Sequence, residues 1–258
     1  MARTYGYNTV PGYSALAEAR RRLATAPGWE WHVAGALSLT FAAGLLAGRL
    51  TPWSLVLLPV LAVVLGAGLA VTTVRRRELV ASWRQGAKGE RQSAKLLAKL
   101  KRDGWKILHD LAIPGSRANV DHLAIGPGGV WVIDSKLWGR RVRWDPRQGW
   151  MHGQSAITPE LNTTRWEVAE VEQALGDTLA RAARHVDGDR GIIVHQAWCV
   201  HGEPLPGGKL VVDGETIVNP RHLLSLLRAD RGPTLPPAAI EEIASMAEVT
   251  LQASLPPI

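Results

Sequence analysis

The sequence predicts an α/β domain with a mixed sheet, preceded by a hairpin of two transmembrane helices. Residues 53–74 contain no charged side chain over 22 positions, enough for a helix to cross a hydrocarbon core of about 30 Å. Strand-like apolar runs follow between residues 105 and 135, and residues 163–185 repeat apolar side chains at helical spacing. A membrane segment and a domain of alternating helices and strands are therefore expected.

The membrane prediction rests on two apolar runs, at about 31–50 and 53–74, with a tight turn between them. Arginines stand before the hairpin at 20–22 and directly after it at 75–77. Because positive charge is retained on the cytoplasmic side, both termini and the soluble domain are expected there. The sequence thus predicts a multi-pass protein of the cytoplasmic (inner) membrane, with the lipid bilayer as a partner. A buried helical hairpin in a soluble protein is the alternative.

The net charge of +7 is concentrated in the part of the chain next to this hairpin. Residues 1–85 hold nine Arg and three Glu, whereas the rest of the chain is nearly balanced. The basic isoelectric point therefore does not by itself indicate nucleic-acid binding. A single cysteine, Cys199, excludes an intramolecular disulfide.

Five segments are predicted from these boundaries. They are a basic cytoplasmic segment (1–30), two transmembrane helices (31–75), a linker (76–88), an α/β domain (86–230) and a C-terminal helix (231–258). Within the domain, the order of elements is α-β-β-β-α-β. We place a helix at 90–101, strands at 105–112, 119–125 and 129–135, a helix at 163–185, and a strand at 191–200. A short strand near 141–144, a hairpin at 209–218 and a helix at 219–228 complete it.

Two carboxylates interrupt neighbouring apolar strands. Strand alternation puts Asp121 on one face with Leu123, and puts Asp134 and Lys136 together on one face of the next strand. A carboxylate among apolar residues needs a partner, and Mg²⁺ favours carboxylate oxygens. Lys136 could orient the attacking water or stabilise a pentacovalent phosphate. Glu90, on the inward face of its helix, adds a third acid.

Each of these residues also has a structural interpretation. Glu90 could complement a helix N-terminus, and Asp134 with Lys136 could form an ion pair at the end of a sheet. The arginines at 140, 141, 143 and 147 fit a solvated strand edge as well as a phosphate-binding surface. His109 and His122 lack zinc-like spacing and are predicted to be surface or packing residues.

The same residues carry a family resemblance. Gly89-Glu90, Asn119-Val120-Asp121-His122, Gly126-Pro127-Gly128-Gly129-Val130 and Ile133-Asp134-Ser135-Lys136-Leu137-Trp138-Gly139 follow one another in this order. This pattern resembles the nuclease-related domain (NERD) family, which is grouped with the restriction-endonuclease-like PD-(D/E)xK nucleases. The resemblance covers about residues 86–200 and implies the restriction-endonuclease-like α-β-β-β-α-β core.

The resemblance implies four catalytic residues, Glu90, Asp121, Asp134 and Lys136. The three acids would bind the cofactor, Mg²⁺ or Mn²⁺. Relatives often have Glu where Asp134 stands, so its carboxylate is one methylene shorter. The polar residue that some relatives carry on the following helix has two candidates here, Arg165 and Gln173.

The functional expectation is a membrane-anchored, metal-dependent nuclease-like domain that hydrolyses nucleic-acid phosphodiester bonds at the cytoplasmic face. Nucleic acid is the expected partner, with Arg140, Arg141 and Arg143 as expected contacts. The alternative is a catalytically inactive module of the same fold that binds nucleic acid or a protein partner at the membrane. A third possibility is a membrane scaffold that assembles through the hairpin.

Overall fold

The computed structural model describes residues 52–116, 118–186, 191–229 and 234–251, together with four isolated positions before them. The chain divides into two compact units, Ala17–Trp83 and a second unit that comprises Met1–Leu16 and Arg84–Ile258. The candidate functional residues all belong to the second unit.

Four helices and nine strands lie in the described residues. The helices are α1 (Pro52–Leu97), α2 (Thr158–Ala183), α3 (Pro220–Arg228) and α4 (Pro237–Thr250). The strands are β1 (Lys106–Ala112), β2 (Asn119–Gly126), β3 (Gly129–Trp138), β4 (Val142–Asp145), β5 (Gly149–His152), β6 (Ser155–Ala156), β7 (Val194–Gly202), β8 (Lys209–Val212) and β9 (Glu215–Val218). A short 3₁₀ helix, Ala98–Asp103, continues α1 and ends at Gly104, whose φ of 80° is left-handed.

Six of the strands form a mixed sheet in the order β1-β2-β3-β7-β9-β8. β1, β2 and β3 are antiparallel neighbours, β7 is parallel to β3 and β9 is parallel to β7. The parallel step from β3 to β7 requires a crossover, which α2 provides. The other three strands form a small antiparallel sheet, β4-β5-β6, within this crossover.

Helices cover both faces of the large sheet. On one face, Leu123 and Val132 belong to a buried cluster with Leu175 of α2 and Ile243 of α4. The opposite face packs Trp131 and Ile133 against the end of α1 and against α3. Burial on both faces explains why β2 and β3 are apolar almost throughout, as in central strands of α/β proteins.

The predicted α/β class, the mixed sheet and the order of elements are confirmed within the described residues. The prediction did not include β5 and β6, which are only four and two residues long. The prediction also differs from the structure in the segment that precedes the α/β domain in sequence. We predicted a linker at residues 76–88, but α1 continues through this stretch as one 46-residue helix.

The structure does not support the prediction of a membrane hairpin. Among the residues that the structure describes, no helix is both long enough and apolar enough to cross a bilayer. The prediction treated 53–74 as a helix that ends there, whereas α1 runs on through the charged residues Arg75, Glu78 and Arg84. Apart from three isolated positions, the first predicted span, at about 31–50, lies outside the described residues, as does nearly all of the basic segment 1–30.

The predictions that depended on this hairpin are corrected with it. A multi-pass location in the cytoplasmic membrane is contradicted, and the lipid bilayer is not supported as a partner.

Candidate functional site

The first two predicted acids lie where the antiparallel pairing of β2 and β3 stops. Pairing runs from Gly126 and Gly129 up to His122 and Ile133, so Asp121 and Asp134 are the next positions in register. There, the backbone amide of Ser135 donates to Oδ2 of Asp121 at 2.9 Å. A side-chain carboxylate thus accepts a hydrogen bond from β3 in place of the strand backbone.

Asp121 experiences the negative charge of the other two acids. Burial raises the pKa of Asp121 well above its usual range, and the charges of Asp134 and then Glu90 raise it further. The Ser135 amide and the Lys136 ammonium oppose these effects without cancelling them. Asp134 and Glu90 therefore lie close enough to Asp121 for their negative charges to raise the pKa of its carboxyl group.

Lys136 provides positive charge at this place. Its Nζ lies 3.1 Å from Oδ2 of Asp134 and 3.8 Å from Oε2 of Glu160, and it stands 4.9 Å from the centre of the Trp198 ring. Burial lowers the pKa of Lys136, but the carboxylates of Asp134, Asp121 and Glu160 outweigh it and raise that pKa. Lys136 therefore stays protonated at neutral pH, which suits it to stabilise developing negative charge rather than to accept a proton.

Glu90 is brought to the sheet by a close approach of α1 to β3. Gln85 donates from Nε2 to the carbonyl oxygen of Leu137 at 2.7 Å, one helical turn before Gly89. A Cβ on Gly89 would lie 3.4 Å from Cβ of Leu137, so glycine lets the helix backbone lie against the strand. The side chain of Glu90 is 6% exposed, and the prediction that it faces inward is confirmed.

Sequence reasoning missed two acids on α2. Glu160 lies within 3.8 Å of Lys136, and Glu167 follows seven residues later, two turns along the same helix face. Burial raises the pKa of Glu167 to about 8, and the charge of Asp134 contributes to the rise. The seven-residue spacing of the two acids was the available signal, but it does not reveal which face of α2 meets the sheet.

The two earlier candidates on α2 are placed elsewhere. Arg165 donates from Nε to Oε1 of Glu215 at 3.0 Å and also contacts the carbonyl oxygen of Asp213. Gln173 is exposed. Arg165 therefore links α2 to the hairpin of β8 and β9.

With this arrangement of acids and lysine, the chain can be compared with known families. Residues 85–197 match the nuclease-related domain family, NERD. No curated protein and no solved structure matches the chain. The NERD match includes Glu90, both strand acids, Lys136 and the two acids of α2.

Metal binding by the segment that matches the NERD family was predicted through Glu90, Asp121 and Asp134. Within the described part of the chain, no group of three or more His, Cys, Asp or Glu side chains is arranged so that it could hold a metal ion. Mg²⁺ is commonly held by only one or two carboxylates, with water and substrate phosphate completing its shell. Asp121 and Asp134 are the pair that fits this mode.

The predicted nucleic-acid contacts follow β3 directly. Arg141 is 88% exposed, with Nε 3.7 Å from Glu203, and Arg143 is 55% exposed, with Nη1 3.5 Å from Asp145. Exposed ion pairs of this length contribute little to stability, so both guanidinium groups remain available to solvent and to a polyanion. Arg140 lies close to the backbone at Gly153.

Two histidines pack against each other beside the acids. Nδ1 of His109 lies 2.8 Å from Nδ1 of His122, and Nε2 of His122 lies 3.0 Å from Oγ of Ser135. Burial lowers the pKa of His109 to about 4, and burial together with the neighbouring His109 and His201 lowers that of His122. These neutral rings connect β1, β2 and β3 directly beside the acids, as the packing prediction for His122 implied.

Proposed function

We propose that the NERD segment is a metal-dependent nuclease that hydrolyses phosphodiester bonds of nucleic acid. The observation that carries the proposal is the coupled set of Asp121, Asp134 and Lys136 at the point where β2 and β3 separate. The match to a nuclease-related family agrees with it.

The donor set fits a divalent cation. The carboxyl groups of Asp121, Asp134 and Glu160 lie around the ammonium of Lys136. Burial, and then repulsion by Asp134 and Glu90, raises the pKa of Asp121. A divalent cation between Asp121 and Asp134 would relieve this repulsion, and Glu90 would support it from α1. When bound, such a cation polarises the phosphate and lowers the pKa of a bound water.

The residues of the chain have separate roles in the proposed hydrolysis. Water attacks phosphorus, the bond to the leaving oxygen breaks, and negative charge grows on the phosphoryl oxygens. Lys136, held protonated by Asp134 and Glu160, is positioned to stabilise that charge. Glu167, whose pKa of about 8 lies near neutrality, is suited to exchange a proton in this step.

Cleavage by the full chain tests the proposal. Labelled single-stranded and duplex DNA and RNA are incubated with Mg²⁺ or Mn²⁺, and in parallel with EDTA. We expect metal-dependent cleavage that falls by at least about 100-fold in Asp134→Asn, because a charged group at the reacting centre is lost. Asp177→Asn, which changes an exposed acid of α2, is the matched control and should cleave like the wild type.

Two outcomes would contradict the proposal. One is the absence of cleavage with every substrate and both metals. The other is equal cleavage by Asp134→Asn and the wild type.

The second candidate function is a non-catalytic module that binds nucleic acid or a protein. One observation favours it: the described residues contain no cluster of three or more metal-binding side chains. In that case the contact between Lys136 and Asp134 at 3.1 Å would be a structural ion pair.

A further inference from the structure

The small sheet of β4, β5 and β6 lies between two elements that carry residues of the candidate site, β3 and α2. We call residues 139–156 the wing. It leaves β3 directly after Lys136 and Trp138, and it returns to α2 directly before Glu160. Both ends of the wing are therefore covalently tied to residues of the candidate site.

The base of the wing is fixed to the domain. The ring of His152 stacks on that of Trp138 with centres 4.5 Å apart and planes 11° apart. Val142 is buried in the same cluster as Trp138 and Trp198. The backbone amide of Ile157 donates to the carbonyl oxygen of Trp150 at 2.9 Å. These contacts pack the base of the wing against the part of the domain that carries Lys136.

An indole is exposed farther out on the wing. Trp144 is 59% exposed, although it is a large aromatic side chain. It pairs across the strands with Trp150, and the two rings are 5.5 Å apart at 72°. The edge contact with Trp150 orients the Trp144 ring and leaves much of it open to solvent, an arrangement that favours a stacking partner.

The wing is also strongly basic. It contains four arginines and one acid, namely Arg140, Arg141, Arg143, Arg147 and Asp145. The acid is engaged by its own turn, because Oδ1 of Asp145 accepts the backbone amides of Arg147 and Gln148 at 2.9 and 3.0 Å. The excess of positive charge complements a polyanion.

We propose that the wing binds single-stranded nucleic acid, with an unpaired base stacked on Trp144 and the phosphates contacted by Arg141, Arg143 and Arg147. An exposed aromatic ring among cations is the usual composition of a single-strand site. In a duplex the base faces are covered by their neighbours, so Trp144 distinguishes single strands from duplexes. The strand bound on the wing is the substrate of the proposed nuclease, and to that extent the inference rests on the proposed function.

Binding without metal separates this proposal from the nuclease activity. Fluorescence anisotropy of a labelled 20-nucleotide strand is measured with the full chain in EDTA, and a hairpin duplex of the same length is measured alongside. We expect the wild type to bind the single strand more tightly. Trp144→Ala should raise its Kd about ten-fold, within the range for loss of one stacked base, and change the duplex Kd less than two-fold.

The matched control is Trp166→Ala, which removes a 41% exposed indole of α2 outside the wing and should leave both Kd values unchanged. Trp144→Phe keeps an aromatic face and should restore most of the affinity. Arg147→Gln should reduce the slope of log Kd against log salt concentration by about 0.7, as expected for one lost phosphate contact on a single strand.

Three results would overturn the proposal: no binding of single strands, tighter binding of the duplex, or equal loss in the Trp144 and Trp166 variants. Failure of the nuclease proposal alone would give a different experimental result. Single strands would still bind through Trp144 in EDTA, and no cleavage would follow on addition of Mn²⁺.

Discussion

Replacing Lys136 with methionine is expected to lower Mn²⁺-dependent cleavage by at least about 100-fold while the protein still binds Mn²⁺. The ammonium lies 3.1 Å from Asp134 and its pKa is raised, so it acts as a fixed positive charge. Loss of one group that stabilises transition-state charge typically costs 10²- to 10³-fold in rate. Methionine keeps the unbranched shape and most of the length of the side chain but has no ammonium, so the contact of Nζ with the Trp198 ring is lost with the charge.

The same substitution should not weaken Mn²⁺ binding. Removal of the ammonium leaves the carboxylates of Asp121, Asp134 and Glu160 without their nearest cation, so a divalent ion meets less competition. Lys106→Met is the control. Lys106 lies on β1 and pairs with Glu241 at 2.6 Å, outside the site, and its loss should change neither cleavage nor Mn²⁺ binding.

Gel-based cleavage rates and calorimetry measure the two quantities separately. Cleavage by Lys136→Met at the rate of the wild type would remove Lys136 from the proposed mechanism. Joint loss of cleavage and of Mn²⁺ binding would indicate that Lys136 maintains the structure of the site and does not act as a positive charge in the reaction.

Replacing Gly126 with alanine is expected to destabilise the domain by about 3 kcal/mol, the upper part of the range for overpacking a core. A Cβ at this position would lie 2.1 Å from Cδ2 and 2.4 Å from Cγ of Trp105. The indole of Trp105 is 4% exposed and packs with Leu97, Leu100 and α3, so it has no free volume to move into. For a domain of this size the midpoint of thermal unfolding should fall by roughly 6–12 °C.

Gly139→Ala is the matched control. Within the described residues nothing lies within 4 Å of a Cβ at Gly139, and the change should stay within about 0.5 kcal/mol. The double variant Gly126→Ala with Trp105→Leu should be less destabilised than the sum of the two single changes, because the smaller side chain makes room for the methyl group. Equal thermal midpoints of Gly126→Ala and Gly139→Ala would contradict this explanation.

The strands and the residues on them were the most predictable part of the fold. Gly126-Pro127-Gly128 indicated a turn, and alternation on either side placed Asp121 and Asp134 correctly toward one region. Local patterns sufficed because a β-hairpin joins residues that are close in sequence. The reason for glycine at position 126 was not predictable in the same way, since it depends on Trp105, which lies in a different element.

The other differences between prediction and structure also depend on contacts between residues far apart in the sequence. Glu160 and Glu167 join the site only because α2 crosses from β3 to β7 with that face toward Lys136. The membrane hairpin was predicted from two apolar runs and their arginine flanks. The helix that contains the second run, α1, extends well beyond it and brings Glu90 against β3. Tertiary packing determines the role of an acidic residue or an apolar run, and sequence periodicity alone does not reveal that role.

Titration of the full chain with Mn²⁺ in a calorimeter most directly tests whether Asp121 and Asp134 form a cation site. If the domain is a metal-dependent nuclease, the wild type and Asp177→Asn should both bind Mn²⁺ saturably. Asp121→Asn and Asp134→Asn should each weaken it by at least about ten-fold, since loss of an outer-shell partner alone costs that much. Mn²⁺ binding that is absent, or that is equal in the wild type and both site variants, would contradict the metal site and favour a non-catalytic binding module.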